Sequence, residues 1–194
     1  DGENETPLFL AARNNYKSLF RHLLTSGANP RIKNLREESV LYVAATSGSD
    51  SILQMLLENE PELEGVDKLS LTVLYHAYIR HNNRAAELLL RHGANANSRH
   101  SNLPIALHIA ARSGNESIVR LLLDYKADPD VVDEYGSTPL HYAAYMLDLE
   151  KLNFMRSRDL TALIGYLHAT MNSSQEIYSL LTAHGADENS KDRK

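Results

Sequence analysis

The chain has 194 residues, 43% hydrophobic and 23% charged, with 20 basic against 25 acidic side chains and a net charge of −5. That balance suits a folded soluble protein. It disfavours a disordered tail and a general nucleic-acid binder, which needs surplus Lys and Arg against phosphates. With no cysteine, disulfides, thiolate nucleophiles and Cys-ligated zinc are excluded, and no apolar run reaches the roughly 18 residues of a membrane span.

Near the start, Thr6-Pro7 places a hydroxyl cap before a proline at the first helical position, which predicts a helix start. The helix that follows opens with Leu8-Phe9-Leu10-Ala11-Ala12. The same pattern returns as Leu41-Tyr42-Val43-Ala44-Ala45, Leu74-Tyr75-His76-Ala77-Tyr78, Leu107-His108-Ile109-Ala110-Ala111 and Leu140-His141-Tyr142-Ala143-Ala144, each 33 residues after the last. Self-similarity at that period is the mark of stacked repeats. Ser39 and Thr72 supply the cap hydroxyl without proline, and Thr138-Pro139 restores both. The alanine pairs leave room for a neighbouring backbone to approach.

After a short break, as at Ser113-Gly114, a second helix is predicted around Leu23-Leu24, Leu56-Leu57, Leu89-Leu90 and Leu122-Leu123. In the fourth unit its stripe also takes in Ile118, Val119 and Leu121, wide enough for burial on more than one side. Gly27, Gly93 and Gly185 fall where that helix should end in a left-handed residue. Glu60 and Lys126 hold the same register, and a non-glycine residue there costs roughly 1–2 kcal/mol.

Gly136-Ser137-Thr138-Pro139-Leu140-His141-Tyr142-Ala143-Ala144, and Leu121-Leu122-Leu123 with the following Ala127-Asp128, resemble the ankyrin repeat, and the likeness extends over essentially the whole chain. It implies an all-α fold of helix–loop–helix units joined by short β-hairpin fingers, stacked as a curved solenoid. About five repeats are expected in a single domain: 1–33, 34–66, 67–99, 100–132 and 133–191. The full Thr-Pro-Leu-His stands only at 138–141, and Tyr78 replaces the second small residue, so the second and third repeats are expected to be softer. The finger position of Asp133 is held earlier by Asp1, Asn34, Asp67 and His100. A chain that starts on this boundary without methionine reads as a piece of a longer protein.

The interval from Lys126 to Gly185 exceeds the period by 26 residues. The surplus lies at roughly 148–173, where Leu160, Leu163, Ile164, Leu167 and Met171 share one helical face behind Asp159. This insertion either packs on its own stack or acts as a partner-gripping or capping element.

Chemistry is sparse. His92 and His184 precede the terminal glycines, and His108 and His141 sit in the helix-start motif, so all four read as structural. No His-Glu-x-x-His, no histidine pair four apart, no phosphate loop and no nucleophile elbow occurs. Glu58, Glu60, Glu62 and Glu64 alternate around Pro61 as a solvated acidic loop. No enzyme, cofactor or metal site is expected.

Function is instead expected on the positions that the repeat leaves free. At the ends of the first helices these are Arg13, Asn14, Thr46, Ser47, Ile79, Arg80, Arg112, Ser113, Tyr145 and Met146. On the finger tips they are Leu35, Arg36, Glu38, Lys68, Leu69, Leu71, Ser101, Asn102, Glu134 and Tyr135. Cations outnumber acids in this set, and it is rich in apolar side chains; Arg and Tyr are enriched at hot spots. The expected partner is a protein segment combining acidic and apolar residues, bound by a monomer inside the cell, in cytoplasm or nucleus, with no nucleic acid and no membrane insertion. The competing reading has the arginines solvated and paired with Glu38 or other local acids. A regulatory domain that masks a transcription factor, or controls an attached catalytic or channel domain, is the alternative function. The resemblance further implies that Asn97 and Asn189 stand where an asparaginyl hydroxylase can act.

Overall fold

Each of the first four predicted repeats begins with a seven-residue helix: α1 (Pro7–Arg13), α3 (Val40–Thr46), α5 (Val73–Ile79) and α7 (Ala106–Arg112). The second helices are α2 (Lys17–Thr25), α4 (Asp50–Leu57), α6 (Asn83–Arg91) and α8 (Glu116–Asp124). Helical turns continue over 139–144 and 173–183. The computed structural model describes residues 5–59, 62–69, 71–98, 106–144 and 173–190. Glu60, Asn102, Tyr145, Met146 and the insertion up to residue 172 lie outside the described residues.

The chain divides into two units, Asp1–Ser98 and Arg99–Lys194. In the first, α1 packs on α3 and α3 on α5, while α2 packs on α4 and α4 on α6. Leu8, Phe9, Phe20, Ile52, Leu53, Leu89 and Leu90 are fully buried between these helices. Ala11, Ala12, Ala44 and Ala45 are also wholly covered, their small side chains letting first helices of successive repeats pack closely. Tyr78 is buried despite its bulk, and its hydroxyl finds no hydrogen-bond partner among the described residues. In the second unit α7 packs on α8, and Leu107, His108, Leu122, Ile177 and Leu181 form the core. The resumption of the second helix beyond the insertion is thus seen in the burial of Ile177, Leu180 and Leu181.

Helix starts follow the cap hydroxyls. The Ser39 Oγ accepts from the Tyr42 N–H at 3.1 Å, and the Thr72 Oγ1 from the Tyr75 N–H at 3.2 Å. At Thr138 the motif histidine takes over: its Nδ1 accepts the Thr138 N–H at 3.2 Å and lies 2.8 Å from the Thr138 hydroxyl. Thr6 makes no such side-chain bond, and Pro7 alone fixes that start.

Second helices begin with a device the sequence reading did not anticipate. The Ser49 hydroxyl donates to the Ala12 carbonyl at 2.6 Å, and the Asn82 amide donates to the Ala45 carbonyl at 2.7 Å. Each ties one repeat to the one before it. Asn82 Oδ1 also accepts the Ala85 N–H at 3.1 Å, and Asn115 Oδ1 accepts the Ile118 N–H at 3.2 Å. These helices end as expected in left-handed residues at Gly27, Gly93 and Gly185, and Lys126 adopts the same conformation at φ +65°.

Candidate protein-interaction surface

The finger turns are built on one side chain each. Asn34 Oδ1 accepts the N–H groups of Arg36 and Glu38 at 2.9 and 3.0 Å. Asp67 Oδ1 accepts those of Leu69 and Leu71 at 2.8 and 3.0 Å, and Asp133 Oδ1 those of Tyr135 and Ser137, both at 2.9 Å. Short polar side chains favour such turns because they satisfy backbone donors two and four residues on. The hairpins implied by the resemblance close on single antiparallel bridges, Lys33 with Ser39 and Val66 with Thr72.

The remaining atom of each turn residue anchors the finger. Asn34 Nδ2 donates to Glu38 Oε2 at 2.7 Å. Asp67 Oδ2 lies 2.8 Å from His76 Nε2, and the Tyr142 hydroxyl donates to Asp133 Oδ2 at 2.8 Å. Burial pushes the Asp67 carboxyl up, but the Leu71 N–H, His76 and the Leu69 N–H outweigh it and hold the group below its ordinary value. Asp133 is held low in the same way, against burial, by Ser137 N–H and Tyr142. Burial, then the bond to Asp133, pushes Tyr142 up to about 12. Tyr42 stands edge-on to His76, with ring centroids 4.6 Å apart, and His108 edge-on to Tyr142 at 4.9 Å.

The histidines of the repeat motif act structurally. His108 Nε2 donates to the Ser137 carbonyl at 2.9 Å, while His92 and His184 each turn Nδ1 onto the carbonyl four residues back, at 2.8 Å. No group of three metal-ligating side chains converges among the described residues.

Of the surface expected from sequence, the first unit brings together Leu35, Arg36, Lys68 and Leu69 on neighbouring tips. The Lys68 N–H donates to the Arg36 carbonyl at 3.2 Å, so the two tips are tied. Leu69 is 72% exposed, and Leu35 and Ile79 are also open to solvent. Lys68 is exposed on its tip, and Arg80 is exposed at the C-terminal end of α5. In the second unit Arg112, Ser113 and Tyr135 are exposed.

Three expectations need correction. Leu71 is not a tip residue: it is 6% exposed, because the Asp67 turn closes on its N–H and sends its side chain into the core. Arg13 is not available as an unpaired cation, since both its terminal nitrogens hold Glu5, one at 2.7 Å from Oε2. Asn14, Thr46, Ser47 and Ser113 each direct a side-chain donor to their own helix, at the carbonyls of Leu10, Tyr42, Val43 and Ala110 respectively, and Asn14 keeps its second amide hydrogen. Lys68, Arg80 and, in the second unit, Arg112 are exposed cations.

Near the finger bases, Asn97 is half-buried and Asn189 exposed, their N–H groups bonded to Asn95 Oδ1 and Asp187 Oδ1, each at 2.9 Å. Where the same register carries an acid, it joins repeats. Glu64 accepts the Asn95 N–H and the Ser98 hydroxyl, both at 2.8 Å, and Asp130 accepts the Asp187 N–H at 2.8 Å.

The period, the buried alanine pairs and the turn chemistry agree with the family comparison: a model of ankyrin repeats (3 copies) matches residues 8–100 and 74–158. The chain belongs to the ankyrin-repeat family. A crystal structure of an ankyrin repeat domain from Acinetobacter baumannii superimposes with a TM-score of 0.78 at 22% identity, over 96% of this chain and 85% of that one. The nuclear factor NF-kappa-B p105 subunit of Gallus gallus is 31% identical over 145 residues, 72% of this chain and 15% of that protein. NF-kappa-B inhibitor delta of Mus musculus is 32% identical over 171 residues, 73% of this chain and 52% of its own length. The chain therefore spans less than two thirds of the length of either curated relative. No helix among the described residues is long and apolar enough to cross a membrane.

Proposed function

We propose that this chain acts as ankyrin repeats generally do, as a non-catalytic module that binds proteins, inside the cell and as a monomer needing no cofactor, and that its first unit grips a segment combining acidic and apolar side chains. The observation that carries this reading is the pair of tied tips, where Leu35 and Leu69 stand exposed with Lys68, together with the exposed Arg80 at the end of α5. An apolar anchor flanked by cations suits a partner of alternating carboxylates and leucines, and a pre-formed surface lowers the ordering cost of binding. Arg112 and Tyr135 offer the second unit a smaller version of the same chemistry.

A synthetic peptide of alternating Glu and Leu, titrated by fluorescence anisotropy, tests the preference. Lys68→Glu with Arg80→Glu is expected to weaken binding at least tenfold, the loss of about 1.5–3 kcal/mol from charge-assisted contacts. Unchanged affinity in that double variant removes the reading. Protein captured from cell extract by the wild-type chain, and lost with the same variant, then identifies the natural partner.

A second reading, a domain that masks a transcription factor, is favoured by the names of two relatives, the p105 subunit and NF-kappa-B inhibitor delta. It predicts that a captured partner loses access to its own DNA while bound. Asn97 and Asn189 remain proposed hydroxylation positions, and a mass increase of one oxygen on each is the expected mark.

A further inference from the structure

The first repeat carries a face that its successors keep dry. Leu10 and Leu19 are exposed, Leu19 to 46%, and Leu23 is half-buried. One period later Val43, Ile52 and Leu56 hold the same registers and are buried, Ile52 to 0% exposure. Two periods later Ala85 and Leu89 are buried as well. The second and third repeats differ from the first in having a helical pair before them: α1 packs on α3 and α2 on α4. What covers Ile52 is therefore the preceding pair, and Leu19 presents the same interface with that pair missing among the described residues. A repeat built to end a stack carries a polar outer face, whereas this one keeps leucine at three interface positions and adds the exposed ring of Tyr16. From this we infer that the outer face of α1 and α2 is an internal repeat interface, and that its occupant is another helical pair of the same 33-residue type.

The test joins a designed 33-residue ankyrin-type repeat, in register, to the start of the full chain, and follows amide hydrogen exchange. Protection of the α1 and α2 amides is expected to rise at least about tenfold, because their local opening then breaks a packed interface. Leu10→Gln with Leu19→Gln is expected to abolish that rise while leaving the unfolding midpoint of the unfused chain unchanged. No gain in protection overturns the inference, as does a gain that survives the double substitution. Concentration-dependent self-association of the unfused chain, seen by light scattering and lost in the double variant, overturns it in favour of a second copy of the chain.

Discussion

The side chain of Asn82 is bonded at both ends: Nδ2 donates to the carbonyl of Ala45 while Oδ1 accepts the N–H of Ala85. One residue thus caps its own helix and fastens it to the previous repeat. Replacing Asn82 with Ala removes the cap and strands a carbonyl near the end of α3. The expected cost is about 2 kcal/mol, read as a lower denaturant midpoint. Ser, which the equivalent position 49 already uses to reach Ala12, is expected to recover part of it.

Lys126 holds a left-handed conformation where Gly27, Gly93 and Gly185 stand in other repeats. Lys126→Gly relieves the steric conflict but gives the unfolded chain more freedom. The net expectation is a gain of about 0.5–1 kcal/mol in unfolding free energy.

Two tyrosines predict opposite outcomes for the same substitution. The hydroxyl of Tyr78 is buried without a partner among the described residues, so Tyr78→Phe is expected to leave stability unchanged or raise it by up to about 1 kcal/mol. The hydroxyl of Tyr142 donates to Asp133, and Tyr142→Phe is expected to cost about 1–2 kcal/mol. Thermal melts of the two variants side by side check the contrast.

Acid sensitivity follows from the finger anchors. Asp67 and Asp133 are held below their ordinary values in the folded chain, so folding favours their ionised forms. Their contribution is fully present above the unfolded carboxylate value of about 3.9 and is lost as pH falls through the lower folded value. Asp67→Asn keeps the turn acceptor but cannot ionise, and is expected to flatten the fall of the unfolding midpoint between about pH 5 and pH 2.

Much of the fold was legible because the repeat writes the same physics several times. The recurring leucines, the cap hydroxyls of Ser39 and Thr72 and the terminal glycines each signal a local backbone need, and the structure meets each one. The cross-repeat bonds of Ser49 and Asn82 were not legible, since their acceptors are alanine carbonyls, which look alike in any sequence. Leu71 was misplaced by counting tip residues without knowing that Asp67 closes the turn on it. Arg13 looked like a binding cation because its partner, Glu5, precedes the helix and shares no helical spacing with it.

The ties from Ser49 to Ala12 and from Asn82 to Ala45 each step back by a single repeat. Loop-closure entropy is therefore met in small instalments, and ordering can begin at any helical pair and spread to its neighbours. Such a chain frays locally before it unfolds, so amide exchange in mild urea is expected to open some repeats ahead of the global transition.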